Sequence, residues 1–307
     1  LQAAGVTSQT GAIASALMMV AKYYLKLPPQ RVAELREMAR DLQPAPQSEI
    51  SQKMRTLLNK LSVPAIRVRL LHLPGTLIDL AATLITNAQK KGKPPPAEAG
   101  RLAVAAVAAK IELMLPIRIG NLANLRLDTH LQRFDPTSRL FSKLYIPASE
   151  VKNKETIDWG IDPGTGAFIE RYLKEFRPLL NPGDSPWLFP SNHKGKAGPL
   201  SIDSIRLALT SAIEEHVGVR MHVHAFRAFV AMLVLEDSAE AKEEVRLVLG
   251  HKTPTSGERY YAYVKPKHAA RRMADILDRA KKSLSALEKP ARSSSPAHRS
   301  RKKGGKR

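Results

Sequence analysis

The sequence predicts a mainly α-helical fold with a small β-sheet, an α+β chain, and three observations carry that prediction. Apolar residues recur at three- and four-residue spacing through most of the 307 positions. One stretch, residues 140–161, is the most strand-like and has the polar turn of a β-hairpin. Proline, glycine and serine clusters separate the periodic segments.

Three helices are expected before residue 62. The first, Gln9 to Leu27, would bury Ile13, Leu17, Val20 and Tyr24. Pro28 and Pro29 open the second, striped by Val32, Leu35, Met38 and Leu42. After Pro44 and Pro46, Ser48 or Ser51 can cap a third helix carrying Met54, Leu57, Leu58 and Leu61. The pattern loosens from Ser62 to Pro74, which places a domain boundary there. Next come a helix from Pro74 to Ala88, a Lys/Gly/Pro linker and an alanine-rich helix from Ala97 to Leu115, interrupted by Pro116. Arg118 then sits between Ile117 and Ile119 at a helix junction, where a charge needs a partner.

Residues 140–161 read LFSKLYIPASEV, a KNKE turn and TIDWGI, a hairpin with Lys152 and Lys154 at its tip. A helix with Phe168, Tyr172 and Phe176 follows, then a loop containing Trp187, Leu188, Phe189 and Pro190. Ser201 or Asp203 caps a helix that Gly218 stops. His224 and Arg227, three apart, are expected on one face of the next helix, with His222 pointing elsewhere. Gly250 ends the helix after that, with His251 just beyond it, and Thr253 with Pro254 starts a helix presenting Tyr260. A separate amphipathic helix runs from His268 to Leu284 with Met273 and Leu277 on its apolar side. From Lys289 the Ser, Pro, Gly and basic composition is that of a disordered arm.

Charge narrows the partner. Forty-nine Lys and Arg against 28 Asp and Glu give a formal +21, which favours a polyanion, with nucleic acid foremost. The segment 289–307 holds eight of the basic residues and no acid, so residues 1–288 still carry +13. With no cysteine, disulfides, thiolate metal sites and a cysteine nucleophile are excluded, and a reducing cytoplasm is the natural setting. The apolar run Leu102 to Leu115 is broken by Lys110 and Glu112 and is too short to span a bilayer, so no membrane partner is expected. No signal-peptide pattern opens the chain, and its first residue, Leu, suggests numbering that begins inside a longer protein.

Several side chains suit attack on a phosphodiester. Two arginines, Arg118 and Arg227, are permanently charged forks that match the non-bridging oxygens. His224 and His251 can hydrogen-bond and exchange a proton near neutral pH. A tyrosine hydroxyl, of ordinary pKa about 10, needs such a positive cluster and a base to become a nucleophile. A lysine on the hairpin can protonate the leaving 5′-oxygen. Taken singly, each has a plainer reading: Tyr260 or Tyr261 as a packing aromatic, His224 as a satisfied histidine, Arg118 as an ion-pair member, Lys152 and Lys154 as a polar turn. His222 with His224 as a metal pair lacks a carboxylate or cysteine at suggestive spacing, so no metal and no cofactor is expected.

In order and spacing, LPIRIGNLANLRL, EVKNKE, WLFP, HAFR and LGHKTPTSGERYYAYV resemble the boxes of the tyrosine recombinase (phage integrase) family. The resemblance implies that family's catalytic fold over residues 72–288, preceded by a helical core-binding domain at 1–71, N-terminally truncated, with 289–307 as a basic tail. The nucleophile of the family follows the LGH histidine by nine positions, which selects Tyr260 over Tyr261. The implied catalytic set is Arg118, Lys152, His224, Arg227, His251 and Tyr260. Many members carry an acidic residue three after the first arginine, where this chain has Asn121. The implied activity is site-specific recombination or integration through a 3′-phosphotyrosine, without ATP or metal. The implied assembly is a homotetramer on two paired double-stranded DNA sites, with room for accessory DNA-bending proteins. The implied location is the cytoplasm, at the nucleoid if the source is bacterial. Three rivals stand beside this reading: a type IB topoisomerase-like relaxing enzyme, a non-catalytic DNA-binding protein on the same fold, and a metal-dependent nuclease.

Overall fold

A computed structural model describes residues 6–43, 50–135, 137–193, 196–238, 240–250 and 255–287. Two compact units emerge, dividing after Gln52. The boundary expected at 71/72 lies inside a continuous helix of the second unit.

In the first unit, α1 (Ser8–Tyr23) packs on α2 (Pro29–Asp41). A capping box opens α1: the Thr7 hydroxyl accepts from the Thr10 amide at 3.1 Å, and Thr10 Oγ1 accepts from the Thr7 amide at 2.8 Å. The burial expected for α1 is overturned. Ile13, Leu17, Val20 and Tyr24 are exposed, whereas Ala14 and Ala21 are buried. Small side chains allow close approach of a helix to its neighbour, so periodicity found the apolar stripe but not the face that packs.

The second unit holds α3 (Gln52–Leu61), α4 (Pro64–Lys90), α5 (Ala97–Met114), α6 (Ile119–Ala123), α7 (Pro163–Glu175), α8 (Ile202–Val217), α9 (Ala225–Asp237), α10 (Lys242–Val248) and α11 (Thr255–Leu287). At its centre is α5, which contacts α4, α7, α8 and α9. Its run from Ala103 to Ala109 is wholly buried, and those short side chains let several helices approach one axis. Ser201 caps α8 by accepting from the Ser204 amide at 3.0 Å, and Gly218 ends it in the left-handed region at φ +83°.

Two helices run where the sequence suggested breaks. Through Ser62–Pro74 the chain is helical, with Pro74 inside α4, because Leu70, Leu73, Leu77 and Ile78 are buried on one face and outweigh the proline's missing N–H. By length and apolarity α4 could cross a membrane, yet those residues place it in the core of this unit. Likewise α11 is one helix through Pro266 rather than two. Anchors follow that proline directly: Lys267 donates to the Ser62 hydroxyl at 3.1 Å, and the His268 ring bonds the Leu235 carbonyl.

The sheet is small. Strands β2 (Lys143–Ile146) and β3 (Ile157–Gly160) pair antiparallel, Leu144 opposite Trp159, as the hairpin reading expects. A short β1 (Leu131–Gln132) adds to the outer edge of β2, and β4 (Pro190–His193) and β5 (Lys196–Pro199) form a second hairpin. Neither addition was read from the sequence. The ten residues between β2 and β3 include a 3-10 turn at Ala148–Glu150, and they bring Lys152 and Asn153 to the C-terminal end of α5.

Candidate active site

Four chain segments meet at one place: the α5–α6 junction, the β2–β3 turn, the start of α9, and the α10–α11 region. Pro116 ends α5, and Arg118 occupies the N-cap position of α6 in extended conformation. Its guanidinium donates to Asn153 Oδ1 at 3.0 Å. This is the partner its apolar flanks required.

Arg227 lies in the first turn of α9 and is only 5% exposed. The expectation that His224 and Arg227 share one face of a helix is overturned: the helix begins after His224, and Arg227 points inward, donating from Nη1 to the Pro116 carbonyl and from Nη2 to the Leu249 carbonyl. It therefore ties the residue two before Arg118 to the residue before Gly250. Burial, then the Arg118 charge, pushes its pKa below the usual arginine value. A guanidinium stays charged in a folded protein all the same.

His224 precedes α9, exposed where Arg227 is buried. Burial of part of its ring, then the charges of Arg227, His222, Arg259 and Arg118, lowers its pKa, which favours the neutral ring able to accept a proton. The expectation that His222 points away from His224 is overturned. Residues 221–224 alternate buried and exposed, so the two rings stack, centroids 6.4 Å apart. The helix geometry assumed for them begins only at Ala225.

Tyr260, on α11, is 5% exposed, and its phenol lies close enough to act electrostatically on Arg227. Arg259 sits over its ring at 5.1 Å. Tyr261 faces a different set of charges, with Lys242 Nζ 3.7 Å from its ring centre.

The two turn lysines differ. Lys154, at φ +58°, donates to the Ser149 carbonyl at 3.1 Å. Lys152 is exposed, has no hydrogen bond among the described residues, and lines a cleft of about 750 Å³ shared with Arg118 and Asn121. Asn121 donates to the Glu150 carbonyl at 3.1 Å, fixing the turn just before Lys152. His251, Thr253, Pro254 and the basic arm lie outside the described residues. Among the described residues no cluster of three or more His, Cys, Asp or Glu could hold a metal.

Three residues of this region escaped the sequence reading. Asn153 lay hidden between two lysines that drew attention by charge. Arg259 stands beside the candidate nucleophile, its Nε buried without a hydrogen-bond partner among the described residues. Glu112 is fully buried on α5 with neither carboxylate oxygen hydrogen-bonded among the described residues, and burial pushes its pKa well up against the opposing pull of Arg227. Its place inside an alanine-rich run was the available signal.

Fold and site together define a mostly helical protein with a small sheet, carrying a basic cluster around a buried tyrosine. No family model and no curated protein matches the chain. Among solved structures it is similar to tyrosine recombinases, at low sequence identity. With XerH site-specific recombinase, bound to palindromic difH substrate in a post-cleavage complex, it shares 17% identity at TM-score 0.44 over 58% of this chain. That match spans 47% of the XerH chain, under half its length. XerA recombinase matches at 13% identity and TM-score 0.41 over 84% of this chain and 82% of that one. A lambda integrase dimer bound to a COC′ core site matches at 15% and 0.38, over 81% and 75%.

Proposed function

We propose that this protein is a site-specific DNA recombinase or integrase that breaks and rejoins strands through a 3′-phosphotyrosine. The observation that carries the reading is the convergence of Arg118, His224 and Tyr260 on Arg227: spread over 142 sequence positions, each lies within electrostatic reach of that guanidinium. A phosphate entering it meets Arg118, whose guanidinium has donors to spare beyond Asn153.

In the proposed reaction the Tyr260 oxygen attacks phosphorus, and the bond to the 5′-oxygen breaks. The phenolic proton passes to His224, and Lys152 supplies one to the departing 5′-oxygen. Arg118, Arg227 and His251 hold the non-bridging oxygens as their charge grows. The 5′-hydroxyl of a second duplex then attacks the phosphotyrosine and restores a phosphodiester. One ester replaces another at each step, so no external energy source is consumed.

Residues 72–288 are assigned the catalytic role and 1–71 the helical DNA-gripping role, with 289–307 adding non-specific affinity through its charge. The working form is a homotetramer on two paired double-stranded sites, open to DNA-bending partners. Its setting is the cytoplasm, at the nucleoid in a bacterium.

The test uses a pool of nicked duplexes of randomised sequence, labelled on the strand to be cut. Detergent-resistant, protease-sensitive labelled protein that forms in the presence of EDTA is the expected result. Cleavage without any covalent protein–DNA species, or cleavage abolished by EDTA, contradicts it. Duplexes recovered from the adduct, exchanged between two marked partners, separate recombination from simple relaxation.

A further inference from the structure

Hydrogen bonds, together with the short backbone segments between their ends, join Arg118 and Arg227 into a closed ring. Arg227 grips the Pro116 carbonyl, two residues before Arg118, and the Leu249 carbonyl. Asn153 completes the circuit: Oδ1 accepts from Arg118 at 3.0 Å, and Nδ2 donates to the carbonyl of Gly250, next along from Leu249. Gly250 stands in the left-handed region at φ +57°, so its carbonyl direction is set by a conformation that most residues avoid. The ring borders a cavity of about 300 Å³ between the α5–α6 junction, β3 and the end of α10.

We propose that Asn153 is a positioning residue for the strand-cleavage reaction proposed above, a brace holding Arg118 and the β2–β3 turn in register with the end of α10. The side-chain chemistry is specific. A carboxamide accepts from a guanidinium and donates to a carbonyl at once, whereas a carboxylate cannot make the second bond and an alkyl group makes neither. Asn153 uses one of the five guanidinium donors of Arg118, leaving the others for phosphate. It also adjoins Lys152, so anchoring its side chain fixes where the proposed proton donor starts. The contacts span residues 118, 153 and 250, three parts of the chain far apart in sequence, and Asn153 bonds the first to the third directly.

The inference rests on the recombinase reading, and its test separates the two. Single-turnover cleavage at saturating protein, and affinity, are measured on the duplex recovered from the randomised pool, for wild type, Asn153→Ala, Asn153→Asp and Asn153→Gln. Misplacing a catalytic group by about 1 Å can cost roughly 100-fold in rate. Asn153→Ala is therefore expected to cleave about 10- to 100-fold more slowly with affinity changed less than about threefold. Asn153→Asp, which keeps the acceptor and loses the donor, is expected to stay slow, and Asn153→Gln to recover part of the rate. Wild-type rates in Asn153→Ala or Asn153→Asp overturn the brace, and a faster Asn153→Ala shows the amide blocking the phosphate position instead. Equal losses of affinity and rate in all three variants reduce Asn153 to a folding role, which also overturns it. Absence of any adduct with wild type defeats the recombinase reading itself.

Discussion

The two sides of the candidate site are built differently. On the inner side, Arg227 and Tyr260 are buried on the long helices α9 and α11, and Arg227 is bonded to two backbone carbonyls. On the outer side, His224 and Lys152 are exposed, one preceding a helix and the other on a turn, and Lys152 has no hydrogen bond among the described residues. Folding alone fixes the inner groups, because burying a guanidinium requires that its donors be satisfied. The outer groups are exposed to solvent. Substitutions inside should therefore damage stability and chemistry together, whereas substitutions outside should damage chemistry alone.

The largest effect is expected at Arg227. Arg227→Ala leaves the carbonyls of Pro116 and Leu249 without their donor, which should cost about 2 kcal/mol or more in chemical denaturation. The same change should slow covalent-adduct formation by about 10³-fold or more, as loss of a preorganised charge does. Full stability in that variant would break the inner half of the comparison.

Lys152→Ala should be the counterpart: adduct formation about 100-fold slower, the scale of a lost general acid, and stability within about 0.5 kcal/mol of wild type. Replacing the 5′-bridging oxygen by sulfur, whose thiolate leaves without a proton, should restore most of the rate. Lys154→Ala, a change to a lysine already bonded to the Ser149 carbonyl, should show neither defect. Rescue of Lys154→Ala rather than Lys152→Ala by the sulfur substrate would exchange their roles.

Acidity sharpens the contrast between His224 and Glu112. Part burial and neighbouring arginines hold the His224 pKa below its ordinary 6.5, so cleavage at saturating protein should persist as pH falls through 6.5 and decline only below it. A midpoint above 6.5 would mean that His224 is not the base. Glu112 shifts the opposite way. Burial raises its folded-state pKa well above the ordinary 4.5, so the folded protein binds that proton more tightly than the unfolded chain. Its contribution to stability is complete below 4.5 and is lost as pH rises toward the folded-state value. Glu112→Leu should accordingly raise Tm by several degrees at pH 8, with the advantage shrinking toward pH 5. A variant less stable than wild type at pH 8 would show that the charge of Glu112 supports Arg227.

Much of this was legible in the sequence where local chemistry decides structure. The Ser201 and Gly218 boundaries of α8, the alanine-rich α5 and the 143–160 hairpin depend on capping, propensity and alternation, which short windows display. What failed depended on contacts between distant residues. Pro74 and Pro266 look like helix ends until the buried faces beside them are known. The exposed stripe of α1 and the stacked rings of His222 and His224 are decided by which face finds a neighbour. In the site, charge made Arg118, Lys152, His224 and Arg227 visible. Asn153, polar and uncharged, could be recognised only once residues 118 and 250 stood on either side of it.

In the proposed reaction Tyr260, buried within electrostatic reach of Arg227, and not Tyr261, becomes joined to DNA. Mass spectrometry of the trapped adduct, after nuclease and protease digestion, locates the nucleotide-bearing residue within the peptide that contains Tyr260, Tyr261 and Tyr263. A 3′-phosphonucleotide on Tyr260 is expected, lost in Tyr260→Phe and retained in Tyr261→Phe. A nucleotide on Tyr261, or an adduct that survives Tyr260→Phe, would contradict it.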